Sequence, residues 1–394
     1  MNPRALATRS PRKPASVAAA ILCSLLPLPA AGEPVEEIVV VAHKTERPLS
    51  AVAAQVTRFD RARLDWEQVQ DLGDLARYEP VLEADFQSAR FGATGLAIRG
   101  IGGNRVALEL DGVPLPAQFD IGSFADSSRL ALDPAILRDI EVLRGPASAL
   151  YGSDAIGGVV VLRTLDARDL VEPGRSLHAS AGLGYFSATD GTLARATTAW
   201  AGAADGLLLS AVHRRGHEAD NRARHVDDDR LDIEQYQLFA KWTHATPGAG
   251  TFRLSTDLYA RQIDSDMRAV LGFERFADTS SLRGDDEQER WRVTAVHTLP
   301  RLDWLDESSL MLYVQDGRTE QRTDERRTSR GSAVALDRDF FFDELDAGAE
   351  LRLRRDFATG PLDHVFVAGA EWDRQEIEER RDGTQTTLAT GAVS

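Results

Sequence analysis

From residue 172 onward, apolar and polar residues alternate with a period of two, the spacing of strands whose two faces meet different surroundings. In residues 251–261, Phe252, Leu254, Leu258 and Ala260 alternate with Arg253, Ser255, Asp257, Tyr259 and Arg261. In 290–299 the apolar set is Trp291, Val293, Ala295 and Leu299. In 345–354, Leu345, Ala347, Ala349, Leu351 and Leu353 face away from Asp346, Glu350, Arg352 and Arg354. The pattern predicts nine strands, near 176–186, 192–201, 207–216, 230–244, 251–264, 285–299, 307–321, 338–357 and 363–379. Connections at 203–206, 245–250, 300–306 and 358–361 are short, whereas those at 218–229, 265–284 and 322–337 are longer and charged. Short turns at one end and long loops at the other are the layout of an antiparallel transmembrane β-barrel. Trp200, Trp242, Trp291 and Trp372 lie near strand ends or on apolar faces, as an interfacial girdle requires.

Residues 49–168 read differently, as a compact α/β module. Asp65-Trp66-Glu67-Gln68 has the form of a capping box, with Val69, Leu72, Leu75 and Ala76 continuing a helical stripe that ends at Pro80. Short strands then alternate with glycine turns: 96–99 into Gly100-Ile101-Gly102-Gly103, 105–110 into the hairpin signal Asp111-Gly112, 140–143 into Arg144-Gly145-Pro146, and 157–162. The first glycine cluster leads into another strand, not into a helix whose N-terminus would hold a phosphate. No glycine run is followed by Lys-Ser/Thr, so a P-loop is absent.

Residues 1–32 carry Arg4, Arg9, Arg12 and Lys13, then an apolar run over 17–28, then Ala30, Ala31 and Gly32. This is the pattern of a secretory signal peptide, cleaved between Gly32 and Glu33. Cleavage would remove the only cysteine, Cys23, and lower the charge from −16 to −20. Next comes Glu36-Glu37-Ile38-Val39-Val40-Val41-Ala42, an extended β-branched segment. It suits either a first strand of the chain's own sheet or a strand added to a partner's sheet edge.

With 62 acidic against 46 basic residues, the chain lacks the basic footprint of a nucleic-acid binder. Beyond the N-terminus no stretch approaches about 18 uncharged apolar residues, which excludes helical membrane spans but not strands.

The module carries a family resemblance. Ala97-Ile98-Arg99-Gly100-Ile101-Gly102-Gly103-Asn104-Arg105, Leu110-Asp111-Gly112-Val113 and, most specifically, Ile140-Glu141-Val142-Leu143-Arg144-Gly145-Pro146-Ala147-Ser148-Ala149-Leu150-Tyr151-Gly152 resemble the motifs of TonB-dependent outer-membrane receptors. Arg90-Phe91-Gly92 with Ile98 to Val106 looks most like the haem and haemoglobin branch, although none of the eight histidines lies between 44 and 177. The resemblance implies an α/β plug domain at 49–168 inside a barrel begun at 172–394, after a TonB box and linker at 33–48. It implies that TonB adds a strand to Glu37, Ile38, Val39, Val40 and Val41, and that no nucleotide takes part. It also implies a plug apex at 85–93 and 115–124, with Arg90, Phe91, Gln118 and Phe119 touching the ligand. Arg99 and Arg144 stand at the family's positions for plug–barrel ion pairs, with Glu350 and Glu371 as partners by strand parity.

The expected activity is TonB-dependent uptake of an iron complex, haem or siderophore across a Gram-negative outer membrane. The partners are then TonB, lipid and the transported ligand, with no cofactor and no metal site. The alternatives are a cobalamin or other nutrient receptor, or a passive porin or adhesin-type barrel. A secreted enzyme has no nucleophile–base motif behind it. His217, Glu218 and His225 fall in or beside one outer loop, and Asp227-Asp228-Asp229 lacks the glycine and glutamate of a calcium loop. About 22 strands close a plugged barrel of this type, so nine odd strands predict a chain that ends within its barrel.

Overall fold

The computed structural model describes residues 38–39, 44, 47–48, 55–120, 126–218, 226–302 and 304–394. The expected signal peptide lies outside them. β1 (Ile38–Val39) pairs antiparallel with β2 (Arg47–Pro48). β3 (Gln55–Asp60) leads into α1 (Arg61–Trp66), whose first turn is capped by the Asp60 carboxylate accepting from the Arg63 amide. β4 (Leu82–Gln87) and β5 (Gly92–Ile98) form a hairpin. β6 (Val106–Leu110) turns at Asp111-Gly112 into β7 (Val113–Pro114), and β8 (Phe119–Asp120) pairs with β9 (Asp126–Ser127). β10 (Leu137–Arg144), α2 (Ser148–Tyr151), β11 (Gly158–Thr164) and α3 (Ala167–Leu170) complete the module. Its main sheet runs β3–β10–β11–β6–β7, parallel only between β11 and β6.

The single helix expected over 65–76 is instead two short ones. α1 stops at Trp66, Gln68 takes a left-handed φ of 51°, and a 3₁₀ turn Leu72–Arg77 begins under its own Asp71/Asp74 capping box. The break lets Leu64, Leu72 and Leu75 all reach one core, while Trp66 is left 87% exposed.

Ten strands follow as one antiparallel sheet in chain order: β12 (Leu177–Phe186), β13 (Gly191–Ala201), β14 (Asp205–His217), β15 (Arg230–Thr246), β16 (Gly250–Asp266), β17 (Thr279–Leu302), β18 (Leu305–Ser329), β19 (Ser332–Thr359), β20 (Leu362–Thr387) and β21 (Ala392–Val393). The sheet is an unclosed barrel wall with β12 and β21 at its edges. The nine expected strands are the nine long ones, and a two-residue tenth follows. The loop expected over 322–337 is strand on both sides of a tight Arg330-Gly331 turn, and the strand after 265–284 starts at Thr279.

Register makes the two faces opposite in chemistry. One row across the wall reads Trp242, Leu254, Ala295, Leu312, Ala349 and Trp372, and it faces outward. Another reads Phe239, Asp257, Arg292, Gln315 and Asp346, every member buried against the module. An apolar exterior around a charged interior reverses the arrangement of a water-soluble protein and fits a lipid solvent. Trp200 and Trp242 sit close to the short turns, but Trp291 and Trp372 lie mid-strand. Leu238→Arg tests the outer face. At 52% exposure this change would be close to neutral in water. Facing lipid, it lowers unfolding stability by about 2–4 kcal/mol in urea titrations of the chain in vesicles.

Candidate functional site

The module rests on the inner face of the wall, and their contact combines apolar and polar parts. Ala199, Leu208 and Phe239 of the wall join the module's own core of Phe59, Leu108, Ile140 and Leu162. Around that contact, polar side chains of the wall reach module backbone. Arg292 donates to the Leu110 carbonyl at 2.6 Å, Gln288 to that of Ser128 at 2.6 Å and Gln315 to that of Pro114 at 2.7 Å, while Glu344 accepts from the Ala117 amide at 3.0 Å.

Three ion pairs strengthen the junction. Asp111 and Gly112 take φ of 52° and 87°, the two left-handed positions of a type I′ turn. The turn aims the Asp111 carboxylate at Lys241, 3.4 Å away, and at the Thr164 amide and hydroxyl, 2.9 and 2.5 Å away. Burial alone would raise the Asp111 carboxyl; Lys241, Arg292 and the Thr164 hydrogen bonds outweigh it and hold it at about 2. Asp133, fully buried, accepts from Arg214 and from Gln235 at 2.9 Å, and its amide donates to Gln237.

The third pair corrects an expectation. Arg90 sits in the tight turn between β4 and β5 with its side chain fully buried, so it is a plug–wall anchor rather than a ligand contact. It donates from Nε and Nη2 to the two carboxylate oxygens of Asp286 at 2.6 and 2.5 Å, from Nη1 to Thr323 at 2.8 Å, and from Nη2 to the Arg322 carbonyl at 2.9 Å. Gly284 makes room for it, since a Cβ there would lie 2.7 Å from the Arg90 Nε. Phe91 beside it is 4% exposed and lies under the Arg90 guanidinium, 4.9 Å from its ring centroid, which leaves little of the ring for the ligand contact expected of it.

Arg99 and Arg144 likewise leave their expected roles. Arg99, left-handed at φ 53°, donates to the Gln55 side chain at 2.5 Å. Arg144 pairs with Glu79 at 3.0 Å and with Thr57. The register of β10 on β3 places Arg144 opposite Gln55, which turns its head group inside the module. Glu350 and Glu371 pair instead with Lys44, at 3.7 Å each. Lys44 is one basic residue in no recognisable pattern, and no sequence signal marked it.

Gln118 and Asn104 exchange hydrogen bonds at 2.7 and 2.9 Å. Phe119 stacks on Phe340 and Phe342 of β19 at ring separations of 5.3 and 5.1 Å, with the Arg381 guanidinium 5.6 Å from the Phe119 centroid. Phe340, Phe342 and Arg381 were not singled out by sequence, although Phe340-Phe341-Phe342 puts two rings on one strand face. His217 and Glu218 are tied to the start of β15, where Glu218 accepts from the Leu231 amide at 2.9 Å; His225 lies outside the described residues. Of the expected strand-addition segment, Ile38 and Val39 form β1, while Glu37, Val40 and Val41 lie outside the described residues. Among the described residues no group of three or more His, Cys, Asp or Glu side chains is arranged to hold a metal ion.

Residues 48–159 match the TonB-dependent Receptor Plug Domain family. The chain is 24% identical over 288 residues to hemoglobin-binding protein A of Haemophilus influenzae, covering 66% of this chain and 28% of that one. It is 31% identical over 168 residues to a hemoglobin and hemoglobin-haptoglobin-binding protein A of the same species, covering 40% of this chain and 15% of that one. The matched part of the chain thus spans between 15% and 28% of the length of these relatives. Among solved structures, the fold is similar to BauA, the ferric preacinetobactin receptor of Acinetobacter baumannii, with a TM-score of 0.57 at 16% identity over 91% of this chain and 53% of that one. It is also similar to the FrpB iron transporter of Neisseria meningitidis, with a TM-score of 0.55 at 14% identity over 84% and 62%.

Proposed function

We propose that this chain, whose residues 48–159 match the TonB-dependent receptor plug domain and whose strands fold like those of solved receptors, is an outer-membrane receptor that binds an iron complex, haem or siderophore and admits it in a TonB-driven step. One observation carries this reading: a plug domain is anchored by ion pairs and wall-to-backbone hydrogen bonds, around a smaller apolar contact, inside a wall whose outer face is apolar and whose inner face is largely polar. Such contacts exchange readily with water, which suits a plug that must be held and then moved. TonB would engage Glu37, Ile38, Val39, Val40 and Val41 by adding a strand, displacing the β1–β2 pairing.

On the ligand side, half-buried Phe119, held by stacking on the buried Phe340 and Phe342, and the exposed Arg381 offer an aromatic face beside a cation. That chemistry suits a flat conjugated ring bearing carboxylates, and it favours haem, in keeping with the haemoglobin-binding relatives. The test is a titration of the purified chain with haemin, a ferric siderophore and cobalamin. Haemin binds, and Phe119→Ala weakens it about tenfold. Binding of cobalamin or siderophore with none of haemin overturns the ligand assignment.

A further inference from the structure

Lys44 lies three residues past the candidate TonB-binding strand, in a left-handed conformation of φ 50°, where the chain folds back so that β1 meets β2. Its Nζ is 3.9 Å from Glu109 of the plug and 3.7 Å from both Glu350 of β19 and Glu371 of β20. The Lys44 carbonyl accepts from Arg352, and its ammonium lies 5.2 Å from the Tyr151 ring centroid. One residue therefore bridges the box segment, the plug and two strands of the wall.

The three carboxylates are poorly placed without it. Glu350 and Glu371 are directly opposite in the β19–β20 register, an unfavourable arrangement for like charges. Glu109 and Glu350 are 7% and 6% exposed, so water screens them little. Arg352 neutralises one of the three, holding Glu350 at 2.8 Å.

We propose that Lys44 is a positioning residue, a clasp that docks the box-bearing hairpin on the wall. Drawing the hairpin away removes the cation and turns the Glu109–Glu350–Glu371 cluster from attractive to repulsive. The repulsion loosens β6 of the plug from β19 and β20, so extraction of a terminal strand is converted into movement of the plug at this face. Burial pushes the Glu109 carboxyl up to about 7, against the pull of Lys44 and with the two wall glutamates adding to the rise; loss of Lys44 raises it further, so the repulsive switch is strongest above neutral pH, where Glu109 stays charged. Lys44 also lines a cavity of about 470 Å³ between plug and wall, together with Asp111, Lys241 and Arg253.

The inference rests on residues 37–41 being the TonB-binding strand, but its test does not involve TonB. In the full chain with Cys23→Ser, a single Ile38→Cys reports the freedom of β1 through its labelling rate with a maleimide polymer. Lys44→Met raises that rate about tenfold, whereas Lys44→Arg leaves it low. At about pH 9, where Glu109 is charged, Lys44→Met also lowers the thermal midpoint, and adding Glu109→Gln restores it while labelling stays fast, because the repulsion is relieved and the clasp is still absent. Should Lys44→Met fail to fold, Glu350→Gln with Glu371→Gln gives the same fast labelling with Lys44 intact. Equal labelling of parent and clasp variants overturns the clasp. Fast labelling with no recovery from Glu109→Gln overturns the repulsive switch. A wrong reading of the box would instead appear as TonB-independent uptake with the labelling pattern unchanged.

Discussion

Arg90→Ala lowers the unfolding stability of the chain by about 3–5 kcal/mol, the cost of leaving a buried charge without its partner. Asp286 is 5% exposed, and Arg90 supplies both hydrogen bonds to its carboxylate. The same change strips a donor from Thr323 and from the Arg322 carbonyl, and empties the space that Gly284 keeps open. Asp286→Asn added to Arg90→Ala recovers part of the loss, since a neutral amide is cheaper to bury than a lone carboxylate. Arg99→Ala removes one hydrogen bond on the plug surface and changes stability by no more than about 1 kcal/mol. Urea titrations of the three variants rank them. A larger loss for Arg99→Ala than for Arg90→Ala would contradict the anchoring of the plug through β17 and β18.

That ranking reverses the one implied by motif positions, and the reason lies in what a sequence encodes locally. Side-chain period is local, so alternation in 251–261 or 345–354 was enough to assign both faces of the wall. Turn chemistry is local too, and Asp111-Gly112 makes the type I′ turn its residues require. Strand length proved less legible. The stretch 322–337 is rich in charge and reads as a loop, yet it is strand because Arg326, Arg327 and Thr328 pair with Ala335, Val334 and Ala333 across the Arg330-Gly331 turn. Partner choice was not legible at all. Whether Arg144 reaches the wall or Glu79 depends on the register of β10 against β3, fixed by contacts about 85 residues apart in the chain. Lys44 and Arg90 are single basic residues whose roles arise only when plug and wall meet.

The second large effect concerns energy coupling. Deleting residues 36–42 removes the strand that TonB would pair with and touches none of Phe119, Phe340, Phe342 or Arg381. Ligand binding and active import then separate, because binding needs only the outer surface while plug movement needs a pull from the periplasm. The decisive measurement is uptake of radiolabelled iron from haemin by cells displaying the intact or the deleted chain, alongside haemin binding to the same cells. The predicted result is unchanged binding with uptake reduced to that of cells lacking the chain. Uptake persisting at the intact rate after the deletion would contradict TonB-driven transport and point to a passive pore.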